Sequence, residues 1–354
     1  MATTAVLTLS TACSSSSDKD LAGGPGKPSA DPNVRTSAPT SPPAAVRPVI
    51  SEEDARRLSA EHDAENNAAN AKFDSERLGR VEGGSLYEES TGSYRVALAT
   101  KRKPIEPFTH TISQWLIPPD TGYPKQFAAI GTTKGSGPLS GISYFAQERA
   151  DAPWKLIFSA TLRQGEQEAS AEPGGTMVTY PRVERVRTDA GGLAVTLADD
   201  QARRAACGEY AGYVSVGPAT KAATDPRFAE GSFTDKVVSN FNATITAQPA
   251  LRMTVEQQNI ANTLPVFELA SGAALVPCAA HVNVDFYSTG DITLGTKDAV
   301  SLLGGKAGPY SAVQQKHISL SLLAVPSAPK APITVLDSSA QQPQILSVTA
   351  TPSR

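Results

Sequence analysis

Three polar side chains alternate with apolar ones in the C-terminal half of the chain. They are His281, Asn283 and Asp285. In a β-strand this period of two places the three polar groups on one face and their apolar neighbours on the other. An imidazole, an amide and a carboxyl on one face could bind an ion or move a proton. The solvated side of an ordinary half-buried strand has the same pattern, and we predict that simpler role here.

Other local signatures of an enzyme are missing from the sequence. No Gly-x-Ser-x-Gly elbow of a serine hydrolase occurs, and no Gly-rich loop ends in Lys-Ser/Thr to hold a nucleotide phosphate. The four histidines are scattered, and no Cys-x-x-Cys pair provides the spacing of a zinc site. We therefore predict no catalytic residue, no metal site and no cofactor.

The cysteine at position 13 has the surroundings of a lipid-attachment site. Small residues precede Cys13, with Ala12 directly before it, and four serines follow. A bacterial lipoprotein signal peptidase cleaves before such a cysteine, whose thiol carries a diacylglyceryl group. We expect residues 1–13 to be a signal peptide and lipobox, truncated because no basic residue precedes the apolar run and the run itself is short. The lipobox departs from the usual pattern in having Ser10 where a leucine is usual. The alternative is a polar tail with a chance cysteine.

Residues 14–49 are predicted to be a disordered tether. They are rich in Ser, Pro, Gly and Ala and have almost no large apolar side chains, so they bury too little surface to offset the entropy of ordering. A flexible chain of about 36 residues spans roughly 30–35 Å. That length would hold a folded domain clear of a membrane. We therefore expect a lipid-anchored protein on the extracytoplasmic face of the cell membrane, attached through Cys13.

The charge balance argues against nucleic acid as a partner. The 354 residues include 32 Lys and Arg against 35 Asp and Glu, a formal net charge of −3. Nucleic-acid binding would require a clustered basic face. No run of eighteen apolar residues occurs, so no helix is predicted to span a membrane. About 300 residues follow the tether, enough for one large or two ordinary domains.

The folded part is predicted to begin with a helix. Ser51 can cap this helix by accepting from the amide of Asp54, and the helix is expected to continue to Phe73. A second short helix or loop is predicted over Leu78–Tyr87. The apolar period then changes to two, with Gly135–Pro138 as one connecting turn. This pattern predicts strands at Tyr94–Leu98, Trp115–Ile117, Phe127–Ile130, Ile142–Phe145 and Trp154–Phe158.

The same order of elements recurs in the second half. A strand and a helix are predicted within Val195–Tyr213, and another helix from Thr234. Strands follow at Leu251–Val255, Leu264–Leu269, Ala274–Tyr287, Ile318–Ala324, Ile333–Leu336 and Ile345–Thr349. Helices followed by an antiparallel meander indicate an α+β fold, and the layout resembles the cystatin-like or NTF2-like cone. We predict two such units, residues 50–165 and 190–354, with one continuous α+β domain as the alternative.

The two remaining cysteines, Cys207 and Cys278, lie in the second predicted unit, 71 positions apart. An exported protein exposes its thiols to an oxidising compartment, where a bridge would cross-link this unit. Closing a loop of that length is worth up to roughly 4 kcal/mol in the chain-entropy model. Two buried free thiols would leave the same sequence pattern, so both states remain open.

Several segments resemble a lipoprotein family of high-GC Gram-positive bacteria. They are Ile117–Pro119, Gly122–Ala129, Tyr144–Phe145, Ala152–Lys155, Val266–Leu269 and Gly272–Val276. The resemblance implies an exported, lipid-anchored protein with a domain of unknown function, and it supplies no catalytic residues.

Aromatic residues of the first predicted sheet are the candidates for a binding pocket. If the sheet curls into a cone, its interior would be lined by Trp115, Tyr123, Phe127, Tyr144 and Trp154, although packing in the core explains the same residues. We therefore predict a non-catalytic binding or scaffolding module for a small ligand, a polymer or an envelope protein. The alternative is a cell-envelope hydrolase whose site is assembled from residues distant in sequence. Convergent His, Asp and Glu side chains in a pocket would favour that alternative.

Overall fold

The computed structural model describes residues 46–134, 140–163, 165–168, 177–197, 201–248 and 250–353. The predicted signal peptide, Cys13 and most of the predicted tether lie outside these residues, as does the predicted Gly135–Pro138 turn. Residues 46–354 group into one compact unit of helices and antiparallel sheets. The α+β prediction is thus confirmed. No helix in the described ranges is both long and apolar enough to cross a bilayer.

Six helices lie within the described residues. They are α1 (Glu52–Asn70), α2 (Ser75–Leu78), α3 (Gly84–Thr100), α4 (Gln201–Val214), α5 (Asp235–Ala247) and α6 (Lys297–Leu302). Helix α1 begins as predicted, because the Ser51 hydroxyl accepts from the Asp54 amide at 3.0 Å. The chain is already attached to the fold before α1, since the Val49 amide donates to the Pro118 carbonyl at 3.0 Å.

The predicted strand at Tyr94–Leu98 is wrong, because these residues belong to α3. Tyr94 and Ala97 are three positions apart and both are buried, whereas Leu98 is 59% exposed. This is the spacing of a helix with one buried face. A five-residue apolar run is too short to distinguish a period of two from one of 3.6.

The first sheet contains the strands β1 (His110–Leu116), β2 (Lys125–Thr133), β3 (Ser140–Gln147) and β4 (Lys155–Leu162), in that order and antiparallel. Both faces of the sheet are covered. Phe127 pairs with Phe145, and the Phe145 ring contacts His62 of α1, with 6.0 Å between centroids. Tyr144 points to the opposite face and lies 5.9 Å from Phe267 of the second half.

A two-stranded ribbon follows the first sheet, formed by β5 (Gly165–Glu168) and β6 (Met177–Tyr180). The second sheet is built on two long strands, β9 (Ala274–Ile292) and β10 (Tyr310–Val325). Beside β9 lie β7 (Leu251–Ile260) and β8 (Phe267–Glu268), and beside β10 lie β11 (Thr334–Ser338) and β12 (Gln344–Pro352).

Each half of the chain contributes one sheet, and the sheets pack on each other. Leu275 of β9 and Leu322 of β10 belong to the apolar core that contains Tyr144. The adjacent residues on these strands, Val276 and Leu323, face the opposite way and pack with α4 and α5. The result is four layers: α1–α3, the first sheet, the second sheet, and α4–α5.

Two further contacts tie the layers together. Cys207 of α4 and Cys278 of β9 form a disulfide, with their Cα atoms 5.4 Å apart. Helix α3 approaches β12 so closely at Gly92 that an added Cβ would lie 2.9 Å from the Ile345 carbonyl oxygen. Only glycine permits this approach without a shift of the backbone.

Candidate ligand cavity

A cavity of about 240 Å³ lies between α1, α3 and the inner face of the first sheet. We call it the polar cavity, because most of the side chains that line it carry hydrogen-bonding groups. These are His62, Asn66, Asn70, Glu82, Ser90, Ser93, Tyr94, His110, Ser143 and Ser159. Ile105, which is 42% exposed, also lines it and marks the side open to solvent.

Helix and sheet contribute complementary features to this space. His62, Asn66 and Asn70 follow at intervals of four along α1, so they share the helix face that is turned inward. Opposite them, Ser143 of β3 pairs with Ser159 of β4. These small sheet residues leave room that larger side chains would fill. The cavity therefore results from a polar helix face packed over a part of the sheet with small side chains.

Four buried side chains form a chain of hydrogen bonds that ends at Glu82. The Tyr94 hydroxyl donates to Asn70 Oδ1 at 2.6 Å, and Asn70 Nδ2 donates to Asn66 Oδ1 at 2.5 Å. Asn66 Nδ2 then donates to Glu82 Oε1 at 2.8 Å. Because all three donors point the same way, each bond polarises the next towards the carboxyl group.

The carboxyl group of Glu82 has an unusual environment. The residue is only 3% exposed, and this burial raises the pKa of Glu82 to about 7, against the opposing effect of hydrogen bonding from Ser90 and Asn66. Oε2 makes no hydrogen bond of good geometry to any residue that the structure describes. At neutral pH the carboxyl group is therefore partly protonated and partly ionised, so it can either donate or accept a proton.

A second carboxyl group, Asp63, holds a histidine at the cavity wall. Asp63 Oδ1 lies 2.6 Å from His110 Nδ1, and Oδ2 accepts from the His110 amide at 2.8 Å. Burial alone would raise the pKa of Asp63, but the hydrogen bonds from His110 and the nearby His62 imidazole outweigh it and keep the pKa well below its usual range. An ionised carboxylate only accepts, so Nδ1 of His110 is the donor in this contact.

A third titratable side chain, His62, lies on α1 beside Asp63 and lines the same cavity as Glu82. It is 5% exposed, and its Nδ1 lies 3.7 Å from Asp63 Oδ1. Its Nε2 is buried and makes no hydrogen bond within the described part of the chain. An unsatisfied buried polar atom costs about 1–3 kcal/mol. A ligand that hydrogen-bonds to His62 Nε2 and Glu82 Oε2 would recover that cost at both atoms.

The aromatic residues proposed from sequence do not line a common pocket. Phe127 and Tyr144 are fully buried, but they point to opposite faces of the first sheet because Tyr144 pairs with Ala128. Trp115 and Trp154 pack against the core, with ring centroids 6.2 and 5.2 Å from Phe127. Tyr123 is 47% exposed.

The alternating polar residues of β9 lie away from the polar cavity. His281 is exposed, and its Nε2 lies 3.0 Å from Glu88 Oε2 on α3. Asn283 and Asp285 follow on the same strand and are partly exposed. The described residues contain no group of three or more His, Cys, Asp or Glu that could hold a metal ion.

Local motifs in the sequence do not reveal the residues of the polar cavity, because these come from several separate segments. None of His62, Asp63, Glu82 and His110 belongs to a recognisable motif. One signal was available. His62, Asn66 and Asn70 recur every four residues in an Ala-rich helix, a spacing that puts three polar groups on the same face as buried Ala55 and Ala69.

Fold and cavity together define an α+β protein in which two antiparallel sheets pack on each other, and buried, titratable polar groups lie between the first sheet and the helices α1 and α3. A family model described as a domain of unknown function, DUF8094, matches residues 46–341. The chain therefore belongs to this family. No curated protein and no solved structure matches it.

The buried carboxyl group makes stability depend on pH in a defined direction. Folding raises the pKa of this carboxyl group from 4.5 to about 7. Below pH 4.5 the group is protonated in both the folded and the unfolded state, so it does not lower the free energy of unfolding there. As the pH rises to about 7 the unfolded chain ionises first, and stability falls by on the order of 3 kcal/mol. Glu82→Gln should remove this loss.

Urea unfolding gives the free energy of unfolding of wild type and Glu82→Gln at pH 5 and at pH 8. The effect of Glu82 is the difference between the two proteins in how much this free energy falls between the two pH values. Glu148→Gln is the matched control, because Glu148 is exposed in a turn. It should keep the wild-type pH dependence. An equal loss of stability in wild type and Glu82→Gln between the two pH values would contradict the assignment.

Proposed function

We propose that this protein binds a small, uncharged, polar molecule in the polar cavity. The observation that carries the proposal is the pair of unsatisfied buried atoms, His62 Nε2 and Glu82 Oε2, in the wall of one cavity. The volume of about 240 Å³ equals that of about eight molecules of liquid water. It lies below the usual range of sites for drug-sized ligands, so the ligand is small.

Desolvation favours a neutral ligand over an ion. Moving an isolated charge out of water costs far more than moving an amide or hydroxyl group. The charge on Asp63, which contacts His110 of the cavity wall, is already engaged by His110 Nδ1 at 2.6 Å. The remaining lining groups are hydroxyl, amide, imidazole and carboxyl groups, which match a ligand that both donates and accepts.

An acid–base enzyme is the second candidate, and one observation favours it. Glu82 and His110 line the same cavity, and each is prepared for proton transfer: the carboxyl by its pKa of about 7, the imidazole by its contact with Asp63. Efficient general acid–base catalysis uses groups that titrate near the working pH. In this reading, the bound molecule would be a substrate that gains a proton from one group and loses one to the other.

We place this function outside the cytoplasm, with the folded domain held at the membrane surface by a lipid on Cys13 and a tether. The small residues before Cys13 and the Ser- and Pro-rich segment after it support this placement. In a bacterial host with the lipoprotein pathway, the wild type should incorporate radiolabelled palmitate and enter the detergent phase. Cys13→Ala should do neither. Labelling of both proteins to the same extent would rule out this anchor.

Binding is testable with uncharged polar fragments of about ten non-hydrogen atoms, a size set by the cavity volume. Ligand-observed NMR on the folded protein should give hits. His62→Phe, which lacks Nε2 but keeps a ring against Phe145, should weaken them at least tenfold, the loss of one buried hydrogen bond. The same substitution at exposed His281 is the control and should change nothing. Hits equally strong in all three proteins would place binding elsewhere.

The same fragments separate a binding protein from an enzyme. If the site only binds, the hits remain chemically unchanged during hours with the wild type. Conversion of a hit that Glu82→Gln abolishes, while the variant still binds it, would establish the acid–base alternative in place of simple binding.

A further inference from the structure

A larger cleft lies next to the polar cavity, and the two share Leu86 and Ser159 in their walls. We call it the second cleft. It has a volume of about 1,230 Å³. Its walls come from α3, the end of β4, the ribbon strand β6, the start of α5, and β11 with the turn that follows it.

Two carboxyl groups face this cleft from different elements. Glu89 lies on α3, and Asp337 lies on β11, where its Oδ2 accepts from the Thr161 amide at 2.8 Å. Burial, with a contribution from Asp337, raises the pKa of Glu89 to about 7, and burial raises the pKa of Asp337 to about 6. Glu89 makes no hydrogen bond to another residue in the described ranges, so its carboxyl group is available to a ligand.

Cationic and aromatic groups form another part of the wall. Arg163 Nη1 donates to the Tyr180 hydroxyl at 3.0 Å, and the guanidinium lies 5.4 Å from the centre of that ring. The Tyr180 and Phe233 rings are 5.7 Å apart and form an apolar surface. Lys236 is the second residue of α5 and is exposed. Arg163 is thus held in place by an aromatic side chain, and its buried Nε makes no hydrogen bond to a described residue.

The composition of these walls selects the chemistry of a ligand. Two carboxyl groups are offset by Arg163 and Lys236, so the cleft favours neither a strong anion nor a strong cation. The amides of Asn240, Gln341 and Gln342 add groups that donate and accept at once. The volume exceeds the usual range for one small ligand, about 300–1,000 Å³. A neutral molecule with many hydroxyl groups and several linked units fits these conditions.

We infer that the second cleft is a binding site for a neutral, polyhydroxylated chain, an oligosaccharide of a few sugar units. Sugar hydroxyls donate and accept, so they can satisfy carboxyl, amide and guanidinium groups together. The apolar face of a sugar ring can pack on Phe233, which is partly exposed, whereas Tyr180 is only 5% exposed and supports Phe233 from below. This site is independent of ligand binding in the polar cavity.

Isothermal titration calorimetry with the full chain tests the inference, with maltotetraose, cellotetraose and chitotetraose as probes. At least one should bind. Asp337→Asn and Glu89→Gln change the carboxyl groups, and each should weaken binding of that oligosaccharide at least tenfold. Lys236→Met and Asn240→Ala alter exposed residues of α5, so they test the site even if a buried variant fails to fold, and each should weaken binding measurably.

Two controls keep the sites distinct. His62→Phe changes the polar cavity and no residue of the second cleft, and Glu148→Gln changes an exposed turn; both should leave binding of the probe intact. The inference is overturned if none of the three oligosaccharides binds, or if a bound one is held with unchanged affinity by all four cleft variants.

Discussion

The structure of the first half depends on keeping one buried carboxyl group hydrogen-bonded. Glu82 cannot lie at 3% exposure without a partner, and the chain that runs from Tyr94 through Asn70 and Asn66 provides one. These bonds connect α1, the α2–α3 connection and α3, so the helices are aligned by polar contacts as well as by burial. A fully satisfied buried network specifies one arrangement, and a partly satisfied one is costly. In the function that we propose, a ligand would complete the network at Glu82 Oε2 and His62 Nε2, which make no hydrogen bond within the described residues.

The second constraint is that the first sheet is covered on both faces. Its inner face carries the polar cavity, and its outer face, through Tyr144, packs on the second sheet near Phe267. The second half therefore supports the cavity without lining it. Two local features maintain this packing: the close approach of α3 to β12 at Gly92, and the hydrogen bond from the Thr161 amide to Asp337.

The sequence was informative where local patterns decide the structure and uninformative where distant residues meet. Ser51 identified the start of α1, and alternating apolar residues identified most of the long strands. The run at Tyr94–Leu98 was misleading because five residues fit both periods. The polar cavity could not be predicted, since Asp63, Glu82 and His110 converge only after α1 packs on the sheet. The raised pKa of Glu82 likewise arises from burial, which no local motif encodes.

The central claim is that Glu82 is a buried carboxyl group that stays protonated up to neutral pH. Infrared difference spectroscopy can follow it directly, because the carbonyl stretch of a protonated carboxyl is separate from that of a carboxylate. The spectrum of wild type minus Glu82→Gln should show one protonated carboxyl group that ionises with a midpoint near pH 7. A midpoint near the ordinary glutamate value of about 4.3 would contradict the account.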